Sequence, residues 1–268
     1  MRIDVGARTD VGRVRENNED AFLVVAPINL FIVSDGMGGE AHGEVASAIA
    51  VKTIAEHCEA DGADPSAPMI GEAHPDLSPR TNRLASAVNL ANQRIYEASE
   101  RDSDQRGMGA TVVAAWLDGP KLSLVHVGDS RVYLLRAGAL QQLTADHSLV
   151  AEQVRRGYIT PQQAELSELQ NVLTRALGPH EEIQSDAAEH MLQPGDTLIL
   201  CTDGVTRMVS DEEIASTLLT TTGAQAAADR LIDLANENGG VDNSTAIIVS
   251  IPPDHDGLLD KLKLWRRD

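Results

Sequence analysis

Lys121–Thr144 reads KLSLVHVGDSRVYLLRAGALQQLT. Its apolar runs are short, rich in Val and Leu, and broken by Gly128-Asp129 and Ala137-Gly138, the signature of strands separated by turns. Three strands are expected here, with a hairpin at Ala137-Gly138 and a turn just before them at Asp118–Gly119–Pro120. Hairpin-joined strands imply antiparallel sheets. Further strands are expected upstream at Ala21–Ala26, Leu30–Ser34 and Thr111–Leu117. Two more follow downstream in DTLILCTDG and STAIIVSI. Helices interleave. Val45, Ala48 and Ile49 share one face after Gly43, and Leu84, Val88, Ala91 and Ile95 recur at helical spacing, which predicts a helix from about Thr81 to Glu100. Another spans Ala224–Asn238 and stops at Gly239-Gly240. The proline-bearing stretch Asp61–Arg80 reads as a surface loop, and Asp146–Arg175 as a small appended flap. Strands in blocks and helices in pairs make this an α+β chain, with helices covering the outer faces of the sheets.

The 268 residues hold 41 acidic and 22 basic side chains, a net charge of −19. That balance opposes nucleic acid and anionic membranes as partners, because phosphate surfaces are bound by Lys and Arg. An anionic substrate stays open, since a bound metal inverts the local field. Cys58 and Cys201 match no zinc or redox spacing and read as small buried hydrophobes. With neither an apolar signal region nor a membrane-length apolar run, the sequence reads as a soluble cytoplasmic protein.

Aspartates cluster where strands end. Leu30–Ser34 runs into Asp35-Gly36 within FIVSDGMGGEAHGEVAS (Phe31–Ser47), Leu122–Val127 into Gly128-Asp129, and Thr197–Thr202 into Asp203-Gly204. Asp242-Asn243 precedes the last strand, and Glu19-Asp20 opens an early one. Asp-Gly is common turn chemistry, which accounts for Asp118-Gly119. For the others, a charged residue ending a buried run is costly unless paired. Converging carboxylates repel unless a cation sits among them, and an all-oxygen set selects hard ions such as Mg²⁺ or Mn²⁺. Arg15 lies just ahead of Glu19 and offers the parallel donors that suit a phosphate; it also reads as a plain surface arginine.

The ordered blocks RTDVGRVRENNEDAF, DGMGGEAHGEVAS, GMGATVVAA, LVHVGDSRVYLLRAGALQQLTADHS, LTRALG, DTLILCTDGV and GGVDNSTAIIV resemble the metal-dependent serine/threonine protein phosphatases, the PPM or type 2C family, in their bacterial single-domain form. The resemblance spans about Val5 to Pro252. It implies an αββα sandwich of two antiparallel sheets flanked by helices. The catalytic domain would cover 1–252, with the flap at about 146–175 and a tail at 253–268. It further implies two Mn²⁺ or Mg²⁺ ions, with a weaker third. Asp35 would bridge the two metals and Gly36 would bind one through its carbonyl. Asp203 and Asp242 would complete the set. Glu19 and Asp20 would hold metal-bound waters, Asp129 would bind the third metal together with Asp203, and Arg15 would clamp the substrate phosphate. A hydroxide between the metals would attack phosphorus directly, with no phosphoenzyme.

Met37 stands where eukaryotic members carry a histidine proposed as general acid. Methionine has no proton to donate. A metal-bound water, His42 and His147 are the remaining sources. The implied partners are phosphorylated Ser/Thr proteins, among them a cognate kinase and its substrates, acted on by a monomer. A phosphatase dedicated to one regulator and a catalytically silent binding module are the alternatives. Arg155, Arg156 and Arg175 in the flap read as solvated charge or, for Arg175 above all, as an attractant for acidic phosphopeptides. Leu258, Leu262 and Trp265 share a helical face in a basic tail, read as a terminal helix or as a docking segment.

Overall fold

The computed structural model describes residues 1–38, 42–61 and 69–253. In chain order, β1 (Asp4–Asp10), β2 (Asp20–Val25) and β3 (Leu30–Met37) lead into helices α1 (Gly43–Asp61) and α2 (Pro79–Arg101). Strands β4 (Gly109–Ala110), β5 (Val112–Asp118), β6 (Lys121–Val127), β7 (Arg131–Arg136) and β8 (Ala139–Gln142) follow. Two short helices, α3 (Leu149–Arg155) and α4 (Pro161–Glu165), precede β9 (Asp186–Met191) and β10 (Thr197–Cys201). The chain closes with α5 (Asp203–Thr206), α6 (Asp211–Thr220), α7 (Ala224–Glu237) and β11 (Ser244–Ser250).

Two sheets result, with neighbours antiparallel throughout. One has the order β1-β11-β10-β7-β8; the other is β2-β3-β5-β6-β9, with β4 added on β3. Side chains alternate across a strand, so each strand feeds two layers. Phe31 and Val33 point between the sheets, where they meet Val113, Leu124, Leu134, Leu200 and Ile247. Leu30 and Ile32, one residue out of phase, pack beneath α1 and α2 with Ile54, Leu84 and Ile95. On the far side Ile199 and Ile248 meet Ile214, Leu231 and Ile232 of α6 and α7. Full burial of each large aliphatic or aromatic side chain contributes about 1.5–3 kcal/mol. The layers are therefore helix, sheet, sheet, helix, as expected. Cys58 and Cys201 are both buried, and no disulfide joins them.

Strand β6 lies in one sheet and β7 in the other, and Gly128–Ser130 carries the chain between them. Gly128 has φ +103°, and a Cβ there would lie 2.6 Å from Thr111. Ala137 and Gly138, both at positive φ, do form a hairpin turn between β7 and β8, of the mirror-image kind that matches strand twist. Strands β1 and β9 and helix α6 were not anticipated. The first is interrupted by Gly6, and β9 is a polar edge strand, DAAEHM. The basic tail expected to be helical lies outside the described residues. Among the described residues, no helix is long and apolar enough to cross a membrane.

Candidate active site

The site sits at one end of the sandwich because strand directions place it there. Strand β10 ends level with the start of β11 and of β7: Cys201 pairs with Ala246 and with Arg131. Asp203, Asp242 and Asp129 thus leave the same end of one sheet. Asp35 lies near the end of β3 in the facing sheet, with Asp20 directly opposite it in the β2–β3 register. Arg15, Glu19, Asp35, Gly36, Asp129, Asp203 and Asp242 line one cavity of about 210 Å³. Asp20 lies behind that wall, its Oδ2 accepting hydrogen bonds from the hydroxyls of Thr202 at 2.9 Å and Thr245 at 2.7 Å. All eight residues singled out from sequence are therefore gathered in or directly behind one pit.

Two residues that were given no role from sequence, Thr111 and Asn243, hold them there. The Thr111 hydroxyl accepts the Asp35 N–H at 3.0 Å, and the Thr111 N–H donates to the Asp35 carbonyl at 2.8 Å. Asn243 staples the loop that carries Arg15 and Glu19. Its Oδ1 accepts the Glu19 N–H at 2.8 Å, while its Nδ2 donates to the carbonyls of Val11 and Asn17 at 2.9 and 2.8 Å. Gly36 lies hard against the start of α1, where a Cβ would fall 2.0 Å from the Gly43 carbonyl oxygen. Gly36→Ala must push β3 and α1 apart. It is expected to cost about 3 kcal/mol, measured by urea unfolding in chelator so that lost metal affinity does not contribute.

The carboxylates disfavour one another. Burial, then Asp203, Asp20, Asp129 and Asp242, push Asp35 well above the usual carboxylate range. Burial is also the main cause for Asp20 and Asp129, each raised to about 7. Asp203 is raised by burial and by Asp242, against the opposing pull of Arg207. One oxygen of Asp20 and one of Asp203 are buried and have no hydrogen-bond partner among the described residues. Repelling carboxylates, orphaned oxygens and an all-oxygen donor set fit hard divalent cations.

Two guanidiniums answer this charge. Arg15, about half exposed at the rim, donates to Asp242 Oδ2 at 2.9 Å. Arg207, which the sequence reading missed, pairs with Asp203 and stands 3.8 Å from Asp242 and 4.0 Å from Asp129. The available signal was its position four residues beyond Asp203, one helical turn away.

His147 does not reach the cavity. It is buried, stacks on His126 with centroids 4.7 Å apart, and accepts the Gly128 N–H at Nδ1. Burial, with His126 and Arg175 nearby, lowers it to about 4. His42 is likewise not among the described residues of the cavity wall, whereas Met37 is. Arg175 pairs with Asp186 at 2.6 Å, and Arg156 pairs with Glu152 one helical turn away on the surface.

The family model for protein phosphatase 2C matches residues 12–237. The serine/threonine phosphatase stp of Listeria monocytogenes is 38% identical over 245 residues, covering 90% of this chain and 93% of that one. The serine/threonine protein phosphatase PstP of Mycobacterium tuberculosis is also 38% identical over 245 residues; this chain matches 91% of its own length but spans only 44% of that relative. A crystal structure of the PstP catalytic domain in complex with two manganese ions superposes with a TM-score of 0.79 at 37% identity, covering 93% of this chain and 98% of that one. Fold, motif order and likeness over about nine-tenths of the chain agree, and the chain belongs to the protein phosphatase 2C family.

Proposed function

We propose that this chain hydrolyses phosphoserine and phosphothreonine monoesters on proteins, opposing a Ser/Thr protein kinase in the cytoplasm. The observation that carries the reading is the acidic, oxygen-only pit with a guanidinium at its rim. Asp35, the Gly36 carbonyl, Asp203 and Asp242 would hold two Mn²⁺ or Mg²⁺ ions, with Glu19 and Asp20 holding their waters. When bound, such ions supply a water acidic enough to attack phosphorus near neutral pH and neutralise charge on the phosphoryl oxygens.

The chain's own residues do the rest. Arg15 exchanges Asp242 for the incoming phosphate and presents it through two parallel N–H donors. Asn243 fixes the loop from which Arg15 reaches, and Thr111 fixes Asp35. Asn171 and Leu173 line the same cavity as Arg15, so the segment just beyond the two short helices also borders the space open to substrate. With Met37 beside the pit and His147 buried away from it, the leaving oxygen takes its proton from water rather than from a side chain. The retention of every carboxylate of the pattern favours turnover over a silent binding module.

Two measurements test this. Hydrolysis of a phosphothreonine peptide in ¹⁸O-labelled water should place one labelled oxygen in the released phosphate, and no phosphoenzyme should be trapped by acid quench. A trapped phosphoenzyme would sink direct attack. Arg15→Ala should raise KM for the peptide roughly 10- to 100-fold, the loss of a charge-assisted hydrogen-bond pair. Arg15→Lys should restore only part, since an ammonium lacks the fork.

A further inference from the structure

We infer that Arg207 is a built-in cation that occupies the ground between Asp129 and Asp203, so that the centre of this chain closes at two divalent ions and has no room for a third. The inference rests on the reading of the pit as a metal centre. It concerns how many ions that centre takes.

The local fold puts Arg207 there. Helix α5 is a single turn, and the Arg207 N–H donates to the Asp203 carbonyl at 2.8 Å. Asp203 and Arg207 therefore leave the same face of that turn. The guanidinium then folds back over the pit: Nη2 pairs with Asp203 Oδ2 and lies 4.0 Å from Asp129 Oδ2, while Nη1 lies 3.8 Å from Asp242 Oδ2. Its side chain is 22% exposed, against 49% for Arg15. Arg15 stands at the rim, whereas Arg207 is set into the wall.

Asp129 and Asp203 are the pair a further ion would have to bridge, and both contacts are made by one guanidinium nitrogen. Asp146, another carboxylate that raises Asp129, is already held by Arg131 through both of its oxygens. A divalent ion placed between Asp129 and Asp203 would meet the like charge of Arg207, which pairs with Asp203 and stands 4.0 Å from Asp129. The charge balance points the same way. The six carboxylates Glu19, Asp20, Asp35, Asp129, Asp203 and Asp242 would be balanced by two divalent ions together with Arg15 and Arg207. Arg207 also forms part of the partition between the pit and a neighbouring cavity of about 690 Å³, both of which are lined by Asp129, Asp203 and Arg207.

Mn²⁺ binding counts this directly. Wild-type protein, Arg207→Gln, Arg207→Lys and the double variant Arg207→Gln/Asp129→Asn would be titrated with Mn²⁺ into the millimolar range. Bound ion is read from the loss of the free-ion paramagnetic resonance signal, and circular dichroism checks each fold. Two ions are expected in wild type and in Arg207→Lys, which keeps the charge. Three are expected in Arg207→Gln, and two again when Asp129→Asn is added. Three ions in wild type, or two in Arg207→Gln, would overturn the inference while leaving the metal-centre reading intact. The second result, accompanied by a raised KM for phosphopeptide, would assign Arg207 to the substrate phosphate instead. No bound Mn²⁺ in any of the proteins would overturn both readings.

Discussion

Asp35→Asn is expected to lower kcat on a phosphothreonine peptide about 10³-fold with Mn²⁺ present, on the order of 4 kcal/mol of transition-state stabilisation. Asp35 is the carboxylate that faces the four other aspartates: its environment includes Asp20, Asp129, Asp203 and Asp242 at once. Asparagine keeps the size and the backbone hydrogen bonds to Thr111 but removes the charge. The same substitution should therefore raise the melting temperature of the chelated protein, because it removes a repelling charge from a buried cluster. Loss of activity with gain of metal-free stability separates a ligand from a structural residue. A variant that is inactive and also less stable in chelator would assign Asp35 to the fold instead.

Metal removal should make stability strongly dependent on pH. Asp20 and Asp129 are raised to about 7, and Asp35 is raised well above the usual carboxylate range, burial being the first cause in each case. A carboxyl whose folded value exceeds its unfolded one binds its proton more tightly when folded. That support is complete below about pH 4 and is lost as pH rises through 7. His147, lowered to about 4, works in the opposite sense between pH 4 and 6.5, as do the lowered His126 and His190. Those three lie outside the carboxylate pit, so the difference between metal-loaded and chelated protein isolates the carboxylates. The gap in melting temperature between Mn²⁺ and chelator should widen from pH 5 to pH 8 by about 5–10 °C. This corresponds to roughly 2–3 kcal/mol at the sensitivity of a domain of this size. A gap that stays constant over that range would show that the carboxylates are not poised against one another.

Much of this site was legible because strand ends are legible. Asp35, Asp129, Asp203 and Asp242 each interrupt or adjoin a buried apolar run, and an aspartate in that place needs a reason. The layers followed from alternation, since Phe31 and Val33 face one way and Leu30 and Ile32 the other. What could not be read was set by distant partners. Strand β1 contains Gly6 and begins and ends in aspartate, yet it pairs along its whole length with β11, whose apolar run supplies the pairing surface. The turn at Gly128 was legible as a strand end, but not that it crosses between sheets, with Thr111 of another segment pressed against it. Asn243 reads as a loop residue, and its three hydrogen bonds go to a segment more than 200 residues earlier in the chain. Arg207 carried a local signal, the i,i+4 spacing to Asp203, but its approach to Asp129 and Asp242 is tertiary.

The most direct measurement is phosphate release from a phosphothreonine peptide by the full chain, with Mn²⁺, with Mg²⁺ and with chelator, at matched pH. The expected result is turnover with either ion, none in chelator, and recovery when Mn²⁺ is added back in excess. Turnover that persists in chelator would contradict the metal-centre account. So would a folded protein that binds Mn²⁺ yet releases no phosphate from any phosphoserine or phosphothreonine substrate.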